Sequence, residues 1–149
     1  MNIGKLLKLL NEHRVSYVII GAHACASHGH VRATTDLDIL IEPSIENIKR
    51  LKRALEEFGY DTTDAGIQDF QTKKILFRKY WLDVDVHPSA KGVRTETVLK
   101  NKIRGAYEKV PTYFSSLYDL IRMKKAAGRS QDREDLKYLN EIKKQKKIK

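Results

Sequence analysis

Tyr17-Val18-Ile19-Ile20-Gly21-Ala22 and, a little further on, Arg32-Ala33-Thr34-Thr35-Asp36-Leu37-Asp38-Ile39-Leu40-Ile41 make up the most informative segment of the chain. From Asp36 to Ile41 the apolar Leu37, Ile39 and Ile41 alternate with the two aspartates. That is strand periodicity, so Asp36 and Asp38 project from one face while the aliphatic residues enter a core on the other. Like charges held so close repel unless a cation lies between them. Mg²⁺ suits such a pair, because it takes one or two protein carboxylates and completes its shell with water and substrate phosphates. Upstream, Tyr17 to Ile20 reads as a short buried strand running into Gly21, and the residues after it can open a helix. A glycine at that junction lets backbone N–H groups approach a phosphate. A phosphate cradle and metal carboxylates in one continuous segment point to metal-assisted nucleotidyl transfer.

Two-metal transfer calls for a third carboxylate on a neighbouring strand, to hold the second metal and favour loss of a proton from the attacking hydroxyl. In Trp81-Leu82-Asp83-Val84-Asp85-Val86-His87 the apolar residues again alternate with polar ones, placing Asp83, Asp85 and His87 on a common face. Either aspartate fits by pattern alone. Around these two strands the rest of the chain falls into place. The spacing of Ile3, Leu6, Leu7 and Leu10 predicts an amphipathic helix within residues 1–11, and a second short helix runs from Ala22 to His28. The strand at 36–42 ends at Pro43, and Ser44 caps a helix that Gly59 closes. Residues 61–69 are weakly patterned, with a turn near Gly66. Strands are expected at 74–78 and 80–87, and Pro88 to Gly92 is a loop. The pattern then fades until Ser116, which caps a helix from Leu117 to Ala127. Gly128 ends that helix, and a last one runs from Ser130 or Gln131 to about Lys143.

With 149 residues and no linker or repeat, residues 1–149 form a single domain with room for a core. No apolar run approaches the roughly 20 residues that span a bilayer, so no membrane association is expected. One cysteine, Cys25, excludes an intrachain disulfide and a cysteine-rich zinc site, and a cytoplasmic address follows. The chain has 29 basic against 19 acidic residues, a net charge of +10, part of it in a basic tail at 144–149. Such charge favours polyanions, including nucleoside triphosphates and RNA. His23, His28 and His30 lack the spacing and partners of a zinc site. In the loop before the aspartates, the fork of Arg32 matches two phosphate oxygens, and Thr34 or Thr35 can donate to phosphate.

The segment from Tyr17 to Ile41 resembles the nucleotidyltransferase superfamily typified by DNA polymerase β. Its signature is an apolar strand, Gly-Gly or Gly-Ser, an interval, and Asp-x-Asp or Asp-x-Glu in the next strand. The chain is most similar to the small prokaryotic branch related to abortive-infection nucleotidyltransferase toxins, with His28-Gly29 and then Arg32 and Thr34 ahead of the aspartates. The resemblance implies an α/β (α+β) fold: a small mixed sheet flanked by helices, with a C-terminal helical pair at about 116–143. It also implies Asp85 as the third carboxylate, since that branch often shows Asp at this distance ahead of a Gly-Val, here Gly92-Val93. Asp83 is then the reserve. Met123-Lys124-Lys125-Ala126-Ala127-Gly128-Arg129, two residues and Asp132-Arg133-Glu134-Asp135-Leu136 resemble a recurrent ending of the same branch. By position Lys124 and Arg129 become phosphate contacts and Asp132 a secondary site candidate.

The implied site therefore consists of Asp36, Asp38 and Asp85 as catalytic and metal-holding residues, with Gly21, Ala22, Arg32, Thr34, Lys124 and Arg129 around the nucleotide. The implied cofactor is Mg²⁺ in a two-metal site, Mn²⁺ being the alternative. The implied reaction moves a nucleoside monophosphate from an NTP to an acceptor hydroxyl, on an RNA or tRNA end or on a protein, with release of pyrophosphate. Ala22 departs from the signature: its N–H remains, but the hydroxyl of a serine is missing. That departure and the basic charge support an alternative, a catalytically impaired module that binds nucleotide or RNA. A third expectation is a protein partner in a toxin–antitoxin pair, since related small nucleotidyltransferases often act on a partner.

Overall fold

The computed structural model describes residues 3–34, 36–79 and 82–148, so Thr35, Tyr80 and Trp81 lie outside it. Its elements in chain order are α1 (Ile3–Glu12), β1 (Tyr17–Ile20), α2 (Gly21–Ser27), β2 (Asp36–Ile41), α3 (Ile45–Phe58), α4 (Ile67–Thr72), β3 (Ile75–Lys79), β4 (Leu82–His87), α5 (Thr95–Lys100), β5 (Ile103–Tyr107), β6 (Val110–Phe114), α6 (Leu117–Ala127) and α7 (Ser130–Ile148). The strands form one mixed sheet in the order β3-β4-β2-β1-β6-β5. β1 runs antiparallel to β2 and parallel to β6, whereas β2 runs parallel to β4.

The period-two alternation sorts side chains onto the two faces of this sheet. Leu37, Ile39 and Ile41 of β2, Leu82, Val84 and Val86 of β4, and Tyr17 and Ile19 of β1 pack with α1, α3 and Phe70 of α4 in one core. The opposite face carries Val18, Ile20 and Leu40, which pack with Ala24 and Cys25 of α2, Val98 of α5, the apolar side of α6, and Leu139 of α7. Cys25 is fully buried, and that burial pushes its thiol up to about 11. The architecture is thus a mixed α/β sheet with helices on both faces. Asp36, Asp38, Asp83, Asp85 and His87 share the second face, where the helical layer stops short.

The expected caps form. Ser44 Oγ accepts from Asn47 N at 3.3 Å at the start of α3, and Ser116 Oγ accepts from Asp119 N at 3.2 Å at the start of α6. Gly128 ends α6 in the left-handed region (φ 65°), which a glycine enters without steric cost. Asn47 is fully buried because it knits loops: its amide donates to Ser16 O and Glu42 O and accepts from Ser16 N.

Three features depart from the expectations. α4 arises within the weakly patterned stretch. The faded region 93–115 contains α5 and the β5–β6 hairpin. That hairpin turns on Glu108 and Lys109, both at positive φ (49° and 69°), where an Asn-Gly or Asp-Gly pair would have announced the turn. Its strands contain Gly105 and Pro111, residues that argue against a strand by composition. Finally, α7 continues to Ile148, past the end expected at about Lys143 and through the basic tail.

Candidate active site

β1 ends at Ile20, whose register partner on β2 is Asp38, so the turn at Gly21 lies beside that carboxylate. Gly21 adopts φ +73°, and a Cβ added there would stand 2.5 Å from Asp38 Oδ2. The glycine is required twice, by its backbone angle and by the side chain that approaches it. On the other side of β2 the parallel register sets Asp38 opposite Asp85 and Asp36 opposite Asp83. One backbone alignment therefore brings two carboxylates from distant segments onto neighbouring strands, facing the same way.

Asp38, Asp85 and His87 each present a ligand atom, all within 4.8 Å of one another. His87 Nε2 donates to Asp38 Oδ1 at 2.9 Å. Asp85 Oδ1 accepts from Arg78 Nη1 at 2.7 Å, reaching across from the edge strand β3. That bond holds the Arg78 guanidinium above its ordinary range. Arg78 also lies 3.7 Å from Asp83 Oδ2. The oxygen-rich donor set fits a hard divalent cation held by carboxylates, and His87 either orients Asp38 or adds a nitrogen donor.

These groups floor a cleft of about 480 Å³, whose lining includes Gly21, Ala22, Arg32, Thr34, Asp36, Asp38, Asp85, Lys124, Arg129 and Asp132. Of the proposed catalytic, metal-holding and nucleotide-binding residues and their two reserves, Asp83 and Asp132, only Asp83 stays outside the lining, 3.7 Å from Arg78. Asp36 lines the cleft without joining the close cluster of Asp38, Asp85 and His87. Thr34 Oγ1 accepts from Asp36 N at 3.1 Å, which starts the strand and occupies the hydroxyl locally. Ala22 lines the wall and is nearly buried.

The cations are engaged otherwise than expected. Arg32 Nε donates to Asp135 Oδ1 at 3.0 Å and its Nη2 to Oδ2 at 3.3 Å, so its fork grips a carboxylate. Lys124 is buried between two acids, 3.3 Å from Asp132 Oδ1 and 3.0 Å from Asp135 Oδ2. Arg129 donates to Asp132 Oδ2 from Nε at 2.8 Å and from its backbone N–H at 3.1 Å, capping the start of α7. Burial alone would raise the Asp132 carboxyl, but the Arg129 bonds and Lys124 hold it below its ordinary range. For Asp135 burial also opposes ionisation, yet bonds from Arg32, Lys124 and Gln131 draw its pKa down to about 2. Asp135 was not among the sequence candidates, although its place three residues after Asp132 on a helix puts both on one side. His30 completes its shell, donating from Nε2 to Asp135 Oδ1 at 3.0 Å.

Two other lining cations, Lys74 and Lys91, carry no ion pair among the described residues. Neither had a sequence signal beyond its charge. His28 does not face the cleft: its Nε2 donates to Ser115 O at 2.8 Å, tying α2 to β6.

A mixed sheet with a glycine turn beside paired aspartates on adjacent strands defines the nucleotidyltransferase class. Over residues 1–145 the chain matches the family described as "Nucleotidyltransferase of unknown function (DUF6036)", and it belongs to that family. Among solved structures it is similar to the lincomycin-bound crystal structure of the lincosamide antibiotic adenylyltransferase LnuA, with a TM-score of 0.63 and 15% identity over 93% of this chain and 94% of that one. At that identity the likeness is one of fold. No curated protein matches the chain. No helix among the described residues is long and apolar enough to cross a membrane.

Proposed function

We propose that the protein is a divalent-metal-dependent nucleotidyltransferase that moves a nucleoside monophosphate from an NTP to an acceptor hydroxyl. The observation that carries this reading is the register of β2 on β4, which sets Asp38 opposite Asp85 beside the Gly21 turn at the floor of one cleft. Asp36, Asp38 and Asp85 hold the metal, Mg²⁺ by the hardness of the oxygen donors, with Mn²⁺ the natural substitute because His87 adds a nitrogen. A cation bound there neutralises charge on the α-phosphate and makes the acceptor hydroxyl easier to ionise. The acceptor oxygen forms a bond to the α-phosphorus, the bond to the β-phosphate oxygen breaks, and pyrophosphate leaves. The acceptor's proton passes to Asp85 or to water. Backbone N–H groups at Gly21 and Ala22 face the triphosphate, and Lys74 and Lys91 meet its outer phosphates. Arg32, Lys124 and Arg129 act through Asp132 and Asp135, shaping the wall rather than gripping phosphate. Acceptors in reach of this reading are an RNA end, a protein hydroxyl or a small hydroxylated molecule, the last in keeping with the lincomycin-bound structural neighbour.

The test is calorimetric titration of each NTP with and without Mg²⁺, on wild type and on three variants. Metal-dependent binding is expected in wild type and is lost in Asp36→Asn/Asp38→Asn. In Asp85→Asn, turnover should drop by about a hundredfold or more. Asp83→Asn, outside the cleft, retains both. Turnover near the wild-type rate in the double variant would sink the mechanism.

One observation favours a second reading. Three of the cations expected on phosphate are bound to Asp132 and Asp135, and Ala22 lacks a hydroxyl. A nucleotide- or RNA-binding module without turnover would show steeply salt-dependent RNA binding that survives loss of the aspartates. A cognate toxin or antitoxin partner would instead appear as a tight protein complex.

A further inference from the structure

Arg78 has no part in the transfer reaction as read above, yet its side chain bonds a residue that does. β3 is an edge strand of the sheet and runs antiparallel to β4, with Arg78 opposite Asp83 and Leu76 opposite Asp85. Arg78 and Asp85 are therefore diagonal neighbours on one face, a separation that a long side chain can span. The guanidinium does so: Nη1 donates to Asp85 Oδ1 at 2.7 Å. The same nitrogen donates to its neighbour's carbonyl, Phe77 O, at 3.3 Å, while Nε stands 3.7 Å from Asp83 Oδ2, beyond hydrogen-bond distance. Among the described residues, no other side chain bonds the Asp85 carboxylate.

The two carboxylates that face each other across β2 and β4 are thus each held by one basic side chain. Asp38 is held by His87, which lines the cleft, and Asp85 by Arg78, which does not. The Asp85 side chain is 11% exposed and that of Arg78 45%, so the guanidinium comes from the sheet edge while the carboxylate it grips is nearly buried. With Oδ1 so engaged, Oδ2 carries no hydrogen bond among the described residues and is free to meet a cation. Arg78 acts on such a cation in two opposed ways. Its charge repels the ion, but water and salt screen a side chain that is almost half exposed. Its bond fixes the direction of a metal-holding carboxylate, an effect of about 10–100-fold in metal affinity. The second effect is the larger.

We infer that Arg78 is a positioning residue of the metal centre: it holds the Asp85 carboxylate from the sheet edge and keeps one oxygen turned to the cation. The inference rests on the nucleotidyl-transfer reading and adds a residue to its metal site. Only one guanidinium nitrogen reaches Asp85, so a lysine, with its single ammonium, can take over the task. An apolar chain of similar length cannot. An arginine beside an aspartate on a sheet edge resembles an ordinary surface ion pair, which contributes little to stability. The effect of Arg78 falls on metal affinity instead.

The probe is Mn²⁺ alone, titrated by calorimetry and by the loss of the free ion's electron-spin-resonance signal. Arg78→Met should weaken Mn²⁺ binding about tenfold or more, and Arg78→Lys should stay within about threefold of wild type. Arg78→Ala, which removes the stem as well, should show the same loss and serves if methionine disturbs the edge strand. Because Arg78 acts through Asp85, Arg78→Met should weaken binding no further in a chain that already carries Asp85→Asn. Unchanged binding in Arg78→Met would overturn the inference, and tighter binding would do so by showing that the guanidinium competes with the metal. Further loss on top of Asp85→Asn, or no rescue by lysine, would overturn it too. Failure of wild type to bind Mn²⁺, alone or with an NTP, would strike the transfer reading and the role of Arg78 with it. Binding that Asp36→Asn/Asp38→Asn abolishes and Arg78→Met leaves intact would strike the role of Arg78 alone.

Discussion

Gly21 shows how a single position couples backbone to chemistry. Its positive φ and the 2.5 Å approach of Asp38 Oδ2 to the place of a Cβ leave no room for a side chain. In Gly21→Ala the left-handed angle alone costs about 1–2 kcal/mol, and Asp38 must also swing away from its register partner. The expected outcome is a lower thermal midpoint together with loss of metal-dependent NTP binding, read by calorimetry on the same sample. Stability lost with binding intact would show that the turn only supports the fold. Asp36, Asp38, Gly21 and the polar face of β4 were legible in the sequence because each belongs to one strand or one turn, where spacing fixes direction. Choosing between Asp83 and Asp85 was not legible from periodicity, since both lie on that face. The structure separates them by the cleft, which Asp85 lines and Asp83 does not, although Arg78 reaches both. The engagement of Arg32 by Asp135 was equally hidden, because a contact across 103 residues leaves no local pattern.

At the scale of elements, α6 and α7 are joined by charge as much as by apolar packing. Lys124 is held by Asp132 and Asp135, and Asp135 in turn holds Arg32 and His30 from the loop before β2. Removing one partner of a buried ion pair leaves the others uncompensated, so Asp135→Asn should cost about 3–5 kcal/mol, measured by urea unfolding. The sign of the pH dependence follows from the depressed carboxyl. Its folded pKa of about 2 lies below the unfolded value, so the unfolded chain binds the extra proton as acid is added. The contribution, about 2 kcal/mol, is present in full above roughly pH 5 and is lost as the pH falls towards 2. Asp135→Asn should flatten that acid limb, and an unchanged limb would show that other groups govern it. The helical pair itself was readable from Ser116, Gly128 and the apolar spacing between them. The hairpin before it was not, since its turn uses Glu108 and Lys109 and its strands carry Gly105 and Pro111.

For the molecule as a whole, the sheet order places β1 and β2 centrally, flanked by strands that follow much later in the chain. The second core closes only when α7 docks, for Leu139 is fully buried there. A chain ending at Gly128 would expose the side of that core which Leu139 covers, about 2 kcal/mol from this side chain alone, and would strip Lys124 of both acids. We expect such a truncation to unfold with a lower m-value and without a sharp transition. A cooperative transition at the wild-type midpoint would show that the first 128 residues stand alone.

The clasp of Asp135 on Arg32 and Lys124 also bears on how the protein comes into being. Residues of the loop before β2 leave the ribosome early, while the acid that secures them is made about a hundred residues later. Until α7 has emerged, the wall of the cleft has no counter-charge and cannot set. A nascent chain therefore carries Asp36 and Asp38 through about a hundred further residues of synthesis before that wall of the cleft can close.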